Sequence, residues 1–289
     1  MRRTLATVLT AGALAGVAIA VAEQQGGSPA PPGGAPPTAA LPAPDGALAH
    51  APAALAESLT STTRRLRAAL AHWDPANPVP RDVTYLALRH QRILRLLSSR
   101  LALGDATLAR LPAGVRGEAR DTVLGRRALA AIPRSPGRPP RLRVEKAAPA
   151  ASLRADYAAA QQRFGIDWSI LAAVNFVESA FGRIRSASEA GARGPMQFLP
   201  STWRAFGMGG SIDDPHDAIL GAANLLHHDG APHDLNRALF AYNHSTAYVR
   251  AIRRFAGRMH ADPRAFLTYY AWQVFVRTSK GVRRVTGPG

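Results

Sequence analysis

The stretch DWSILAAVNFVESAFG, residues 167–182, decides the fold. Its length suits a helix, and Leu171, Val174, Glu178 and Phe181 recur at steps of three and four, so they share one side of it. Asp167, a good capping residue type, stands where such a helix would start. Glu178 thus falls within the stripe that faces inward. A carboxyl there is costly to ionise, which leaves three readings: neutralisation by Arg183 or Arg185, a place at the water-facing margin, or a proton held to unusually high pH.

Working outward, the spacing predicts a preceding helix from Ser152, read as its cap, through Leu153, Tyr157, Ala160 and Phe164 to a stop at Gly165. A glycine-rich irregular stretch covers 182–194, and PMQFLPSTWRAFG (195–207) reads as a short helix or turn. In DDPHDAILGAANLLHH (213–228), Asp214 as cap, Pro215 in the first turn and Asp217 three residues on form a helix-start signature. Two further helices are expected at 234–242 and 246–256, bounded by 243–245 and by Gly257. WQVFVRTSKGVRRV (272–285) alternates and turns at 279–281, which predicts a small β-hairpin.

Toward the N-terminus, three helical patterns cover 54–73, 82–103 and 105–131, the first two separated by the proline-bearing DPANPVP. Leu86, Ile93, Leu97 and Leu101 form an apolar seam, while Arg89, Arg92 and Arg95 read as a solvated face. The chain therefore divides into 1–22, an export signal or N-terminal anchor; 23–52, a disordered Pro/Gly/Ala linker; 53–132, a helical accessory region; 133–150, a second linker; and 151–289, the final module. Arg2 and Arg3 ahead of an apolar run to Ala22 carry the export reading, which puts the remainder outside the cytoplasm, in the cell envelope or secreted.

The formal net charge is +17, with 20 Lys+Arg against 9 Asp+Glu in residues 1–150 and 16 against 10 in the rest. Such a chain is drawn to anionic surfaces, a wall polymer or lipid head groups, although arginine-rich solvated helix faces explain the charge equally well. Export argues against nucleic acid as a partner. The absence of cysteine excludes disulfides, so packing alone must hold the core.

Chemistry concentrates in the final module, in NFVESAFG (175–182), SEAGARGPMQFLP (188–200) and AYNHS (241–245). These E-S, G-x-M-Q-x-x-P and A-Y-N motifs, in this order, resemble those of lytic murein transglycosylases of the lysozyme-like superfamily, in an exported actinobacterial-type branch. The resemblance covers roughly 152–255. It implies a mainly α, lysozyme-like catalytic domain with the small C-terminal hairpin, preceded by the helical accessory region. It also implies cleavage of the β-1,4 bond between N-acetylmuramic acid and N-acetylglucosamine in peptidoglycan glycan strands, without water, leaving a 1,6-anhydro ring. Glu178 would be the single acid and then base. Ser188 would contact substrate, Met196 and Gln197 would line the groove, and Tyr242 would bring its hydroxyl beside the carboxyl of Glu178. Asn243 joins this substrate-binding set or shapes the turn after its helix.

On spacing alone Met196 and Phe198 suit the core, and Tyr242 continues the face of Leu235 and Leu239. Gln197, a polar amide between apolar residues, needs a partner. The run HHDGAPHD brings His227, His228 and His233 close in sequence, but adjacent helical residues point about 100° apart and suit one ion poorly. No calcium loop and no nucleophile elbow is present, and neither metal nor cofactor is expected. Two alternatives share the motifs: a muramidase of the same fold that uses water, and a noncatalytic wall-binding protein.

Overall fold

The computed structural model describes residues 40–133, 142–278 and 281–288. The expected export signal or anchor lies outside these residues, as do 23–39 of the first linker, 134–141 of the second, and Ser279 and Lys280 of the hairpin turn.

Among the described residues four helices come first: α1 (Pro52–Ala71), α2 (Arg81–Ser99), α3 (Leu101–Arg110) and α4 (Ala113–Ala130). In α1, Pro52 opens the first turn and Leu55, Leu59, Leu66 and Leu70 are buried at helical spacing. The single helix expected at 105–131 is two. Pro112 has no N–H to donate and forces Leu111 out of the helical region (φ −69°, ψ 142°), so the chain stops at Arg110 and restarts at Ala113. The helix expected to reach residue 103 ends at Ser99, where Arg100 leaves helical geometry.

Arg89, Arg92 and Arg95 correct the expectation of a solvated face. Arg89 donates to Ala47 O at 2.8 Å, Arg92 to Gly46 O at 2.8 Å and to Pro44 O at 3.0 Å, and the Arg95 guanidinium lies 4.3 Å from the Phe275 ring centroid. The carbonyls of 44–47 belong to no helix or sheet and need donors, which long side chains on α2 can reach. Residues 142–149 are likewise held. Val144 forms a bridge with Ile184, and backbone bonds join Glu145 N to Arg183 O and Arg185 N to Arg143 O.

The rest comprises α5 (Ala150–Phe164), α6 (Trp168–Ser179), α7 (Pro200–Phe206), α8 (Pro215–His228), α9 (Leu235–Asn243), α10 (Thr246–Ala261) and α11 (Arg264–Tyr270). The hairpin strands β1 (Phe275–Thr278) and β2 (Gly281–Arg284) pair antiparallel, Phe275 opposite Arg284. The chain is thus mainly α with a small C-terminal hairpin, as expected. Asp167 accepts from Ser169 N and Asp214 from Asp217 N, so both expected caps are in place. Ser152 is not a cap, because α5 already begins at Ala150 behind Pro149. Gly257 does not stop α10. The stripe of Tyr248, Ile252, Phe255 and Met259 continues past it, and that burial outweighs the roughly 1 kcal/mol cost of one helical glycine. The helix α11 was not anticipated. One continuous apolar cluster joins α1–α4 to α5–α11, with α4 packed along α10 and α6 behind it.

Candidate active site

Glu178 occupies the last turn of α6. The three residues after the helix ends at Ser179 all have positive φ, Ala180 (φ 53°), Phe181 (φ 64°) and Gly182 (φ 79°), which turns the chain sharply away from the helix end. This reversal is held from inside. Ser179 Oγ donates to Pro195 O at 2.5 Å and accepts from Gly182 N at 2.8 Å, while Asn175 Nδ2 donates to Pro195 O at 2.8 Å. Tyr157 in turn donates to Asn175 Oδ1 at 2.6 Å, so the amide is fixed at both ends. The loop at 193–198 is thereby fastened beside Glu178. It closes on itself through backbone bonds between Arg193 and Phe198 and from Gln197 N to Gly194 O. Gly194 is required there: at φ 75°, an added Cβ would stand 1.9 Å from Ile212 O.

Neither Arg183 nor Arg185 neutralises the acid. Arg183 donates to Tyr270 O and Ala180 O, and Arg185 pairs with Glu145 and donates to Asp213 O. Among the described residues the side-chain partner of Glu178 is Tyr248, whose hydroxyl donates to Oε1 at 2.7 Å. Glu178 keeps some exposed surface while protein crowds its carboxyl on the remaining sides. Burial pushes the carboxyl up from 4.5 to about 7, and the Tyr248 bond, which favours the ionised form, offsets only part of that rise. An acid in this state can donate a proton near neutral pH and take one back.

The sequence-predicted residues separate into different roles. The Tyr242 hydroxyl does not bond Glu178; it donates to Met196 O at 2.6 Å. Its ring lies parallel to that of Tyr248, centroids 6.4 Å apart, near enough for the Glu178 charge to help burial hold its phenol well above the ordinary range. Met196 has no exposed surface, so its side chain belongs to the core and not to a groove wall, as its spacing alone suggested. Gln197 is half-buried at φ 50°, a strained value for a residue with a side chain, and its Nε2 donates to Gly194 O. Ser188 stands in a tight turn, where its Oγ accepts from Ala192 N at 2.9 Å. Asn243 is the buried last residue of α9, directly before the turn that Ser245 closes by accepting from Tyr248 N.

Tyr248 is the residue missed. A signal existed: it lies on the inward stripe of α10, and a buried hydroxyl needs a partner just as a buried carboxyl does.

Among the described residues no second carboxylate is brought against Glu178. Asp213 pairs with Arg193, Asp214 caps α8, Asp217 accepts from Ser211 N, and Glu189 is exposed. The histidines also have other occupations, His227 on Phe164 O and His228 on Asp229.

Residues 157–262 match the family described as transglycosylase SLT domain. The chain is 31% identical over 122 residues to the membrane-bound lytic murein transglycosylase F of Thiobacillus denitrificans, a stretch covering 39% of this chain and 26% of that relative. It therefore spans about a quarter of the length of the relative. No solved structure matches. Among the described residues, no helix is long and apolar enough to cross a membrane.

Proposed function

We propose, from the premise that residues 157–262 form a transglycosylase SLT domain of the lysozyme-like superfamily, that this chain is a peptidoglycan lytic transglycosylase acting in the cell envelope. It cuts the β-1,4 bond between N-acetylmuramic acid and N-acetylglucosamine, using Glu178 first as acid and then as base. The observation that carries the reading is Glu178 itself, a carboxyl raised to about 7 by burial, bonded by a tyrosine and not neutralised by an arginine.

In the first step the Glu178 proton passes to the bridging oxygen, the C1–O bond breaks, and the leaving sugar departs as an alcohol. Positive charge develops at C1 of the muramic acid residue. In the second step that residue's own 6-hydroxyl attacks C1 while Glu178, now a carboxylate, takes the hydroxyl proton. The acid is regenerated and the product holds a 1,6-anhydro ring, with no water consumed. Conventional glycosidases need a second carboxylate as nucleophile or base, whereas this route needs one group. The occupations of Asp213, Asp214, Asp217 and Glu189 support the single-acid form. Tyr248 holds the carboxyl in place and stabilises the charge it acquires between the steps. The half-buried Ser188, Gln197 and Tyr242 contact the glycan beside Glu178. The strongly basic balance suits contact with anionic wall polymer or a membrane surface.

Purified sacculi test this directly. Glu178→Gln should lose turnover by at least about three orders of magnitude while still sedimenting with the wall. Undiminished turnover by a folded Glu178→Gln variant would remove the proposal.

A further inference from the structure

The Tyr248 end of the Glu178–Tyr248 bond lies on α10, which packs along α4, a helix that precedes the matched residues 157–262, and the Glu178 end reaches α4 through a chain of aromatic rings. Phe176, two residues before Glu178, is enclosed by the rings of Phe181, Phe255, Tyr269 and Trp272, at centroid distances of 5.4, 5.1, 5.1 and 5.9 Å. Phe255 lies on α10, seven residues after Tyr248 and so on the same face of that helix. The tip of the Phe255 ring abuts Gly125 of α4. A Cβ there would stand 2.9 Å from Cζ and 3.1 and 3.2 Å from the two Cε atoms.

One turn earlier on the same face of α4, Thr122 Oγ1 and the Tyr269 hydroxyl share a buried 2.7 Å bond. Glycine in a helix interior costs about 1 kcal/mol relative to alanine, and here the missing methyl is the space the ring tip fills. Phe255 is 1% exposed and hemmed in by Phe176 and Tyr269, so its ring has nowhere to retreat.

We propose that Gly125 is a positioning residue for the Glu178–Tyr248 pair. The α4 face of Gly125 and Thr122 seats Phe255 and Tyr269, these seat Phe176, and both helices bearing the pair take their separation from that contact. The Thr122–Gly125 face of α4, outside the transglycosylase domain, then sets the geometry of the catalytic pair and is not a spacer. This inference rests on the catalytic reading of Glu178 for its rate measurement, but not for its titration.

The full chain carrying Gly125→Ala is compared with Gly117→Ala on the same helix, where a Cβ meets nothing within 4 Å. Gly125→Ala should lower kcat on the order of tenfold with KM nearly unchanged, and Gly117→Ala should do neither. Combined with Tyr248→Phe, Gly125→Ala should add little, because both act through one bond; independent effects would multiply. Carbon NMR of the Glu178 carboxyl gives a second readout. In Gly125→Ala it should titrate at higher pH than in the wild type, the direction in which loss of the Tyr248 bond moves it. Should Gly125→Ala fail to fold, Thr122→Val, which removes the Tyr269 bond from the same face, must show that shift. Wild-type titration in the folded variant, or multiplying rate effects, overturns the proposal. Absence of glycan cleavage by the wild type would instead overturn the functional reading and leave the titration to decide this one.

Discussion

The Tyr248 hydroxyl donates to Glu178 Oε1 at 2.7 Å across 70 residues of sequence, and this bond and the burial around it act on the acid in opposite directions. Burial wins. The carboxyl stands near 7, about where a group must stand to give up a proton to a poor leaving group and recover one afterwards.

In the proposed mechanism the protonated form of Glu178 starts the reaction, so cleavage should fall as pH rises through about 7. Initial rates on purified sacculi from mildly acidic to mildly alkaline buffer check this. A rate that keeps rising through that range contradicts it.

Stability should carry the same signature. The folded-state pKa of about 7 lies above the ordinary 4.5, so the native state holds this proton longer than the unfolded chain does. Its stabilising contribution is complete below about 4.5 and is lost as pH rises through about 7. Glu178→Gln cannot ionise, and should exceed the wild type in stability on the order of 1–3 kcal/mol in mildly alkaline buffer, with the gap closing in acid. Urea unfolding at the two conditions measures it.

Tyr248→Phe removes the group that favours the carboxylate. Glu178 should then titrate at still higher pH, and turnover should fall about 10- to 100-fold, the worth of one hydrogen bond to a charged group. A pH–rate profile separates the two effects.

Two glycines of the loop after Glu178 should differ in cost. Both have positive φ, but a Cβ on Gly194 would stand 1.9 Å from Ile212 O, whereas one on Gly191 meets nothing within 4 Å. Gly191→Ala should cost about 1 kcal/mol, and Gly194→Ala about 3 kcal/mol or more because backbone must move. Thermal melts of the two variants decide.

Local features were legible from sequence where one segment determines them. Asp167 and Asp214 cap their helices, Gly165 ends α5, and the alternating C-terminus folds back as a hairpin. The break at Pro112 is equally local, since proline alone ends α3 and opens α4. What sequence could not supply was the partner of each inward polar group. Glu178 could have met Arg183 or Arg185; its partner is Tyr248, brought by a helix that runs beyond its expected glycine stop. Tyr242 carried the motif, yet its hydroxyl supports the 196 carbonyl, and Met196 supplies core volume and that carbonyl where a groove wall was expected. The arginines of α2 followed a solvated pattern and instead hold a segment some 45 residues earlier.

The most direct measurement is the mass of the sugar ends released from purified glycan strands by the wild type and by Glu178→Gln. Products one water lighter than those of hydrolysis, absent with the variant, are predicted. Reducing ends at full mass, or the same products from the variant, would contradict the account.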